Sequence, residues 1–170
     1  MYFHEKFNVD AYLNHDIALL RLKPNSNTQR GVKFGETVVP ACLPNSNVVY
    51  GTHLDCTVTG WGSMGNRDPG YTRYLQSAQM PIIPIQECIR PQVYGPNKLK
   101  EGMFCAGFLD GGIDTCQGDS GGGMVCEVRG RKRVMGLTSW GLGCGRPNRP
   151  GVYTKVANYL SWIEDKITIP

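Results

Sequence analysis

Residues 114–122 read Asp114-Thr115-Cys116-Gln117-Gly118-Asp119-Ser120-Gly121-Gly122, and the small and acidic residues around this serine decide how the chain is interpreted. A serine hydroxyl is a weak nucleophile, so a site that uses one needs a base and also donors that stabilise the oxyanion formed after attack. Gly118 and Gly121 allow a tight turn that can aim the backbone N–H groups of Gly118 and Ser120 into one small pocket. A surface turn is the alternative interpretation, because Gly, Asp and Ser dominate turns.

Four further motifs accompany this stretch. They are Asn14-His15-Asp16-Ile17-Ala18-Leu19-Leu20, Ser139-Trp140-Gly141, Cys144-Gly145 and Pro150-Gly151-Val152-Tyr153-Thr154-Lys155-Val156. In this order and near this spacing, the motifs resemble the chymotrypsin-type serine proteases of the trypsin subgroup, from about Tyr2 to Ile167. The resemblance implies an all-β, chymotrypsin-like double β-barrel. Residues 1–40 are then the end of the first barrel, 41–155 the complete second barrel and 156–170 a C-terminal helix.

The resemblance also implies the catalytic roles. Ser120 is the nucleophile, the N–H groups of Gly118 and Ser120 form the oxyanion hole, and Asp16 orients the catalytic histidine. A carboxylate at the mouth of an apolar strand is costly unless it is paired, which favours this role for Asp16. The family's Ala-Ala-His-Cys segment, which carries the catalytic histidine, does not occur in the sequence.

None of the three histidines replaces the missing base. His15 is adjacent to Asp16 on a predicted strand, so the two side chains point to opposite faces. His4 and His53 lie outside every motif and are expected to be surface histidines. We therefore expect the chain to be the C-terminal portion of a protease domain that is inactive on its own.

Asp114, six residues before Ser120, predicts the specificity. In the trypsin subgroup this position is the floor of the pocket that receives the side chain before the cleaved bond, and a carboxylate there implies cleavage after Arg or Lys. The resemblance assigns five further residues to substrate binding: Thr115, Ser139, Trp140, Gly141 and Gly151. The two glycines leave the pocket walls open. In the family, Asp119 pairs with a new N-terminus released on activation; without it, Asp119 has no obvious partner in this chain.

Seven cysteines without a Cys-x-x-Cys pair or a Cys/His cluster indicate disulfides and an oxidising compartment rather than a zinc site. Sequence alone leaves many pairings open. The resemblance implies the pairs Cys56–Cys126, Cys88–Cys105 and Cys116–Cys144, and an extracellular, secreted protein. Cys42 stays unpaired within the chain. In many family members such a cysteine joins the domain to an upstream propeptide or light chain, and a free buried thiol is the alternative.

The composition and net charge limit the classes of molecule that the chain is expected to bind. A net charge of +4 is too small to imply nucleic acid, and the 22 glycines and 11 prolines favour short strands with many turns. No signal peptide or membrane span is visible. The resemblance implies protein or peptide substrates, protein protease inhibitors and no cofactor, and Pro150 implies no sodium site. The basic stretch Arg129–Arg133 is a hairpin tip that either binds heparin or an acidic partner or is simply a solvated turn.

Other classes of protein fit less well. Gly118-x-Ser120-x-Gly122 matches the nucleophile elbow of α/β-hydrolases, but that fold needs a histidine after the serine, and none follows Ser120. Asp16, His53 and Ser120 follow subtilisin order, whereas the chain lacks the helices of that fold. A non-catalytic protease homologue that only binds is a further alternative, although such domains usually carry damage at the serine or the pocket.

The hydrophobic pattern predicts the main elements. Strands are expected at 17–20, 54–62, 76–85, 103–108 and 134–137, and a helix whose apolar face holds Val156, Leu160, Ile163 and Ile167. Gly, Asn, Asp and Pro indicate a loop after the second of these strands, and the resemblance implies that this loop, 63–71, is exposed.

Overall fold

The computed structural model describes residues 1–24, 31–65 and 70–168, so residues 66–69 of the predicted loop and the last two residues of the chain lie outside the described residues. The strands are β1 Tyr2–Phe3, β2 Ala18–Leu19, β3 Asp55–Gly60, β4 Gln76–Gln79, β5 Ile82–Ile83, β6 Met103–Ala106, β7 Gly123–Val128, β8 Arg131–Trp140 and β9 Gly151–Lys155. The helices are α1 Ile85–Cys88, a 3₁₀ helix Val156–Tyr159 and α2 Leu160–Ile167.

Seven of the strands form one antiparallel sheet in the order β4-β3-β7-β8-β9-β6-β5. Strands β4 and β5 lie at opposite ends of this order, yet only Met80 and Pro81 separate them in sequence. The sheet must therefore curl into a half-barrel, and Met80, Met124 and Tyr153 are fully buried in its core. Strands β1 and β2 form a separate two-stranded sheet. This mostly β architecture with a short C-terminal helix is that of the predicted fold class.

The predicted strand 76–85 is in fact two strands and the start of a helix. Pro81 has no N–H to donate to a sheet ladder, and the chain passes at this point from one edge of the sheet to the other. Met80 closes the junction by donating its N–H to Cys56 O at 2.9 Å. Pro81 and Pro84, which interrupt the run 76–85, were therefore the sequence signals of this change of strand.

The apolar face predicted for the C-terminal helix is correct in only two of its four positions. Val156 and Ile163 are buried, but Leu160 is half-buried and Ile167 is 68% exposed. The segment begins as a 3₁₀ helix, which has about three residues per turn, so the buried residue of the next turn is Tyr159.

Three disulfides join Cys56 to Cys126, Cys88 to Cys105 and Cys116 to Cys144. They are the pairs implied by the resemblance. Cys42 is free and exposed, so its thiol is not buried. Its segment lies beside the start of β8, where Val134 N donates to Cys42 O at 2.9 Å.

The Cys56–Cys126 disulfide should contribute most to stability. It closes a loop of 70 residues, which in the chain-entropy model corresponds to roughly 4 kcal/mol. We expect the double variant Cys56→Ala/Cys126→Ala to lose stability of that order in urea unfolding, whereas Cys42→Ala should change it little. Peptide mapping under non-reducing conditions checks the pairs, and a disulfide from Cys42 to any of the other six cysteines would contradict them.

Candidate active site

Ser120 lies at the tip of a turn held by backbone hydrogen bonds. Asp119 N donates to Cys116 O at 3.0 Å, and Gly122 N donates to Asp119 O at 2.9 Å. Gly121 N donates to Thr138 O at 2.8 Å, which ties the turn to β8. Ser120 is exposed, and within the described part of the chain its hydroxyl makes no hydrogen bond. The hydroxyl is therefore available to an external base or substrate.

Gly118 and Ser120 present unused backbone donors. Neither N–H donates to a residue in the described ranges 1–24, 31–65 and 70–168. Gly118 has a φ of +95°, in the left-handed region that favours glycine. A Cβ at this position would also lie 2.5 Å from Cε1 of Tyr71. An oxyanion hole requires two free donors directed at one point. Both donors are free among the described residues, but Gly118 does not line the cavity that holds Ser120.

Ser120 and Asp114 line the same cavity, which has a volume of about 230 Å³. Its wall includes all five residues that the sequence assigned to substrate binding: Thr115, Ser139, Trp140, Gly141 and Gly151. Tyr12 and Leu13 also line it, and the sequence analysis missed them. They precede the Asp16 motif by a few residues but carry no chemical signal of their own. The cavity thus joins the candidate nucleophile to the candidate specificity residue.

Asp16 does not line this cavity but is linked to it through Ser139. The Ser139 hydroxyl donates to Asp16 Oδ2 at 2.7 Å, and Thr154 Oγ1 donates to the backbone oxygen of Asp16 at 2.8 Å. These bonds fix both the side chain and the backbone of Asp16 against the seven-stranded sheet. The other carboxylate oxygen, Oδ1, accepts no hydrogen bond from the described residues.

Asp114 is half-buried, and each of its oxygens accepts one backbone N–H. Thr115 N donates to Oδ1 and Gly145 N donates to Oδ2, both at 2.9 Å. Burial raises the pKa of Asp114 above its usual value, although the two N–H donors oppose the shift. A carboxylate has about four acceptor sites, so two amide donors leave it able to bind a cation. Gly151 packs so closely that an added Cβ would lie 2.9 Å from Oδ1.

Asp119 has partners within the chain, which corrects the sequence-based expectation. Gly62 N donates to Oδ1 at 2.9 Å, and Cys116 N donates to Oδ2 at 3.0 Å. A carboxylate that accepts amide donors needs no cation to be satisfied when it is partly buried. Gly60 and Gly62 make room for it, since Cβ atoms there would lie 1.9 and 2.5 Å from Asp119 side-chain atoms. Contacts between residues so far apart in the chain cannot be predicted from a local motif.

The crowding around Asp119 gives a prediction about stability. We expect Gly62→Ala to destabilise the chain by about 1–3 kcal/mol, because the new methyl group would overlap the carboxylate of Asp119. Gly35→Ala is the matched control, since a Cβ at Gly35 meets nothing within 4 Å. Urea unfolding of both variants measures the difference. Equal stabilities would show that Asp119 does not occupy this position.

None of the three histidines lines the cavity that holds Ser120. His53 is exposed, as predicted. His4 is not a surface histidine: it is half-buried, and its ring stacks on His15 with centroids 4.8 Å apart. Burial, and then the nearby His15, lowers the pKa of His4. His15 Nδ1 lies 3.2 Å from the Tyr159 hydroxyl, so neither ring is directed at Ser120.

The basic hairpin tip 129–133 is partly engaged within the chain. Lys132 pairs with Glu127 at 2.9 Å, and Arg133 donates to Leu43 O at 2.6 Å. Arg129 and Arg131 are exposed. Fewer cations are therefore available to an acidic partner than the sequence suggested.

Comparison with known proteins identifies the family. The family model described as Trypsin matches residues 1–163. The hepatocyte growth factor activator serine protease of Mus musculus is 43% identical over 157 residues, which are 92% of this chain and 24% of that protein. Coagulation factor XII of Rattus norvegicus is 44% identical over 165 residues, covering 95% and 27% of the two chains. Coagulation factor XII of Sus scrofa is 43% identical, covering 97% and 27%.

The fold and the matches define the class as trypsin-like serine protease domains. The chain belongs to the trypsin family of serine proteases. It spans about a quarter of the length of the curated relatives that it matches. Within the described residues, no helix is both long and apolar enough to cross a membrane.

Proposed function

We propose that the protein containing this chain is a serine endopeptidase that cleaves protein substrates after Arg or Lys. The observation that carries the proposal is the shared cavity, in which an exposed serine hydroxyl and a half-buried carboxylate face the same volume of about 230 Å³. A guest whose cationic end reaches Asp114 has its backbone at the mouth of the cavity. Its carbonyl carbon can then lie within reach of Ser120.

In this proposal each residue has one role. Ser120 attacks the carbonyl carbon, and the unpaired N–H groups of Gly118 and Ser120 stabilise the oxyanion. Asp16 orients a histidine base through the carboxylate oxygen that Ser139 leaves unoccupied. None of the three histidines donates to Asp16 or lines the Ser120 cavity, so the 170-residue chain is proposed to be inactive alone.

We also propose a domain organisation and a location for the protein that contains this chain. Residues 1–40 are the end of the first barrel, 41–155 the second barrel and 156–170 the C-terminal helix region. The exposed Cys42 suits a disulfide to an upstream chain or propeptide. Three disulfides suit an extracellular protein, with protein substrates and protein protease inhibitors as partners.

Binding of benzamidine tests the pocket without requiring catalysis. Benzamidine carries a planar amidinium cation on a ring, so it should enter the cavity and pair with Asp114. We expect the oxidised chain to bind it measurably in isothermal titration calorimetry, and Asp114→Ser to weaken binding by at least about tenfold. Equal binding by the two proteins would contradict the assignment of Asp114.

The raised pKa of Asp114 also predicts how this binding depends on pH. The protonated acid is neutral and does not attract an amidinium, so affinity should fall as the pH is lowered through the raised pKa. The same shift means that the folded chain binds the proton more tightly than the unfolded one, so Asp114 should lower the stability of the unliganded chain as the pH rises through this range. Titrations from neutral to acidic pH, with Asp114→Ser as the control, measure both effects.

A further inference from the structure

The loop 146–150 is tied to a neighbouring segment by one guanidinium. Arg149 Nη1, which carries two hydrogens, shares them among three backbone oxygens: Gln92 O at 2.6 Å, Val93 O at 2.5 Å and Asn148 O at 2.6 Å. Among the described residues, Arg149 forms no ion pair with a carboxylate. A half-buried cation whose partners are all backbone carbonyls fixes the relative position of the segments that carry them.

The same two segments meet again beside the cavity. The buried Tyr94 donates its hydroxyl to Pro150 O at 2.5 Å, and its ring packs edge-on against Trp140 with centroids 5.1 Å apart. Pro150 is followed directly by Gly151, where an added Cβ would lie 2.9 Å from Oδ1 of Asp114, so the chain passes close to this carboxylate. A displacement of loop 146–150 would therefore move one wall of the cavity relative to its charged floor.

We propose that Arg149 is a positioning residue for the Asp114 cavity. By joining 92–93 to 148–150, it holds Gly151 against Asp114 and keeps the cavity narrow enough for a planar cation. The inference rests on the proposed function, since it assumes that the cavity takes a cationic guest. Arg149 does not touch the guest; it acts through the loop.

If only the charge of Arg149 mattered, its removal would change the affinity for a cationic guest in the opposite direction. A cation near a cavity repels a cationic guest, so removing the charge of Arg149 without moving the loop would tighten binding. Loss of the three carbonyl contacts would loosen the loop and weaken binding. The sign of the change therefore separates the two roles. Arg146, on the same loop, provides the matched control, because its guanidinium lies over Gly143 and makes no hydrogen bond to the described residues.

The experiment is a benzamidine titration of the oxidised 170-residue chain, with the thermal midpoint recorded on the same samples. We expect Arg149→Met to raise Kd about tenfold. Arg149→Lys, whose ammonium carries three donors, should raise it less than about threefold, and Arg146→Met should leave it unchanged or slightly lower. Lysine keeps the charge as well as hydrogen-bond donors, so the sign of the change in Arg149→Met, rather than the lysine variant, separates lost carbonyl contacts from lost charge. The thermal midpoints separate a change in binding from a general loss of stability.

An unchanged or lower Kd for Arg149→Met overturns the inference, even if its thermal midpoint falls. If Arg149→Met does not fold, Arg149→Gln is measured in its place. The glutamine side chain keeps an amide donor, so we expect Kd to rise about threefold. An unchanged Kd for Arg149→Gln also overturns the inference. If the unaltered chain does not bind benzamidine, the proposed specificity itself fails. The failure of the proposed function is thus distinct from the failure of the role of Arg149.

Discussion

The 170-residue chain alone should not measurably hydrolyse an Arg-peptide ester. Ser120 has no histidine beside it, and the three histidines of the chain lie outside its cavity. Loss of the triad histidine alone can lower kcat on the order of 10⁶-fold in a comparable enzyme. The proposed oxyanion donors would not compensate for this, because they would stabilise a species that an unactivated hydroxyl rarely forms.

Adding a histidine base tests whether its absence is the cause of the expected inactivity. The chain can be extended at its N-terminus with a trypsin-family segment that carries the Ala-Ala-His-Cys motif. Once processed to a free N-terminus, the extended chain should hydrolyse the ester, and Ser120→Ala in it should abolish the activity. Turnover by the original chain that is lost in its own Ser120→Ala variant would show that another base is present.

The features that the sequence predicted depend mainly on residues that lie close together in the chain. The turn around Ser120 depends on glycines within three residues of the serine, and these glycines also define the motif. One donor to the Asp114 carboxylate, Thr115, is its neighbour in sequence, whereas the other, Gly145, is 31 positions away and could not be read from the local motif. Ser139, Trp140 and Gly141 are contiguous at the end of β8 and beyond it, and they reach the cavity together.

The features that the sequence did not predict depend on distant contacts. Asp119 accepts from Gly62, 57 positions away, and a local pattern cannot show that an N–H from another strand end will satisfy the carboxylate. His4 stacks on His15 because β1 and β2 pair and the loop between them folds onto the C-terminal helix. Arg149 reads as one of several surface cations until its three carbonyl partners are known.

The enzyme restored by the N-terminal segment should cleave after Arg or Lys. An apolar guest in the cavity would remove water from Asp114 and leave the carboxylate without a cationic partner. Such a mismatch costs several kcal/mol, which corresponds to several orders of magnitude in kcat/KM. Partial burial already disfavours the charged form of Asp114 in the unliganded chain and raises its pKa.

Arg should be preferred to Lys. Each oxygen of Asp114 accepts one backbone N–H and has a further acceptor site, so a guanidinium fork can contact both oxygens while an ammonium acts as a single point charge. Cleavage of a peptide library by the restored enzyme measures this order, and Asp114→Ser should lower kcat/KM for Arg substrates by about 10³-fold or more while changing it little for apolar ones. A preference for Phe or Leu, or an Arg preference that survives the substitution, would remove Asp114 from the pocket even if Ser120 remained the nucleophile.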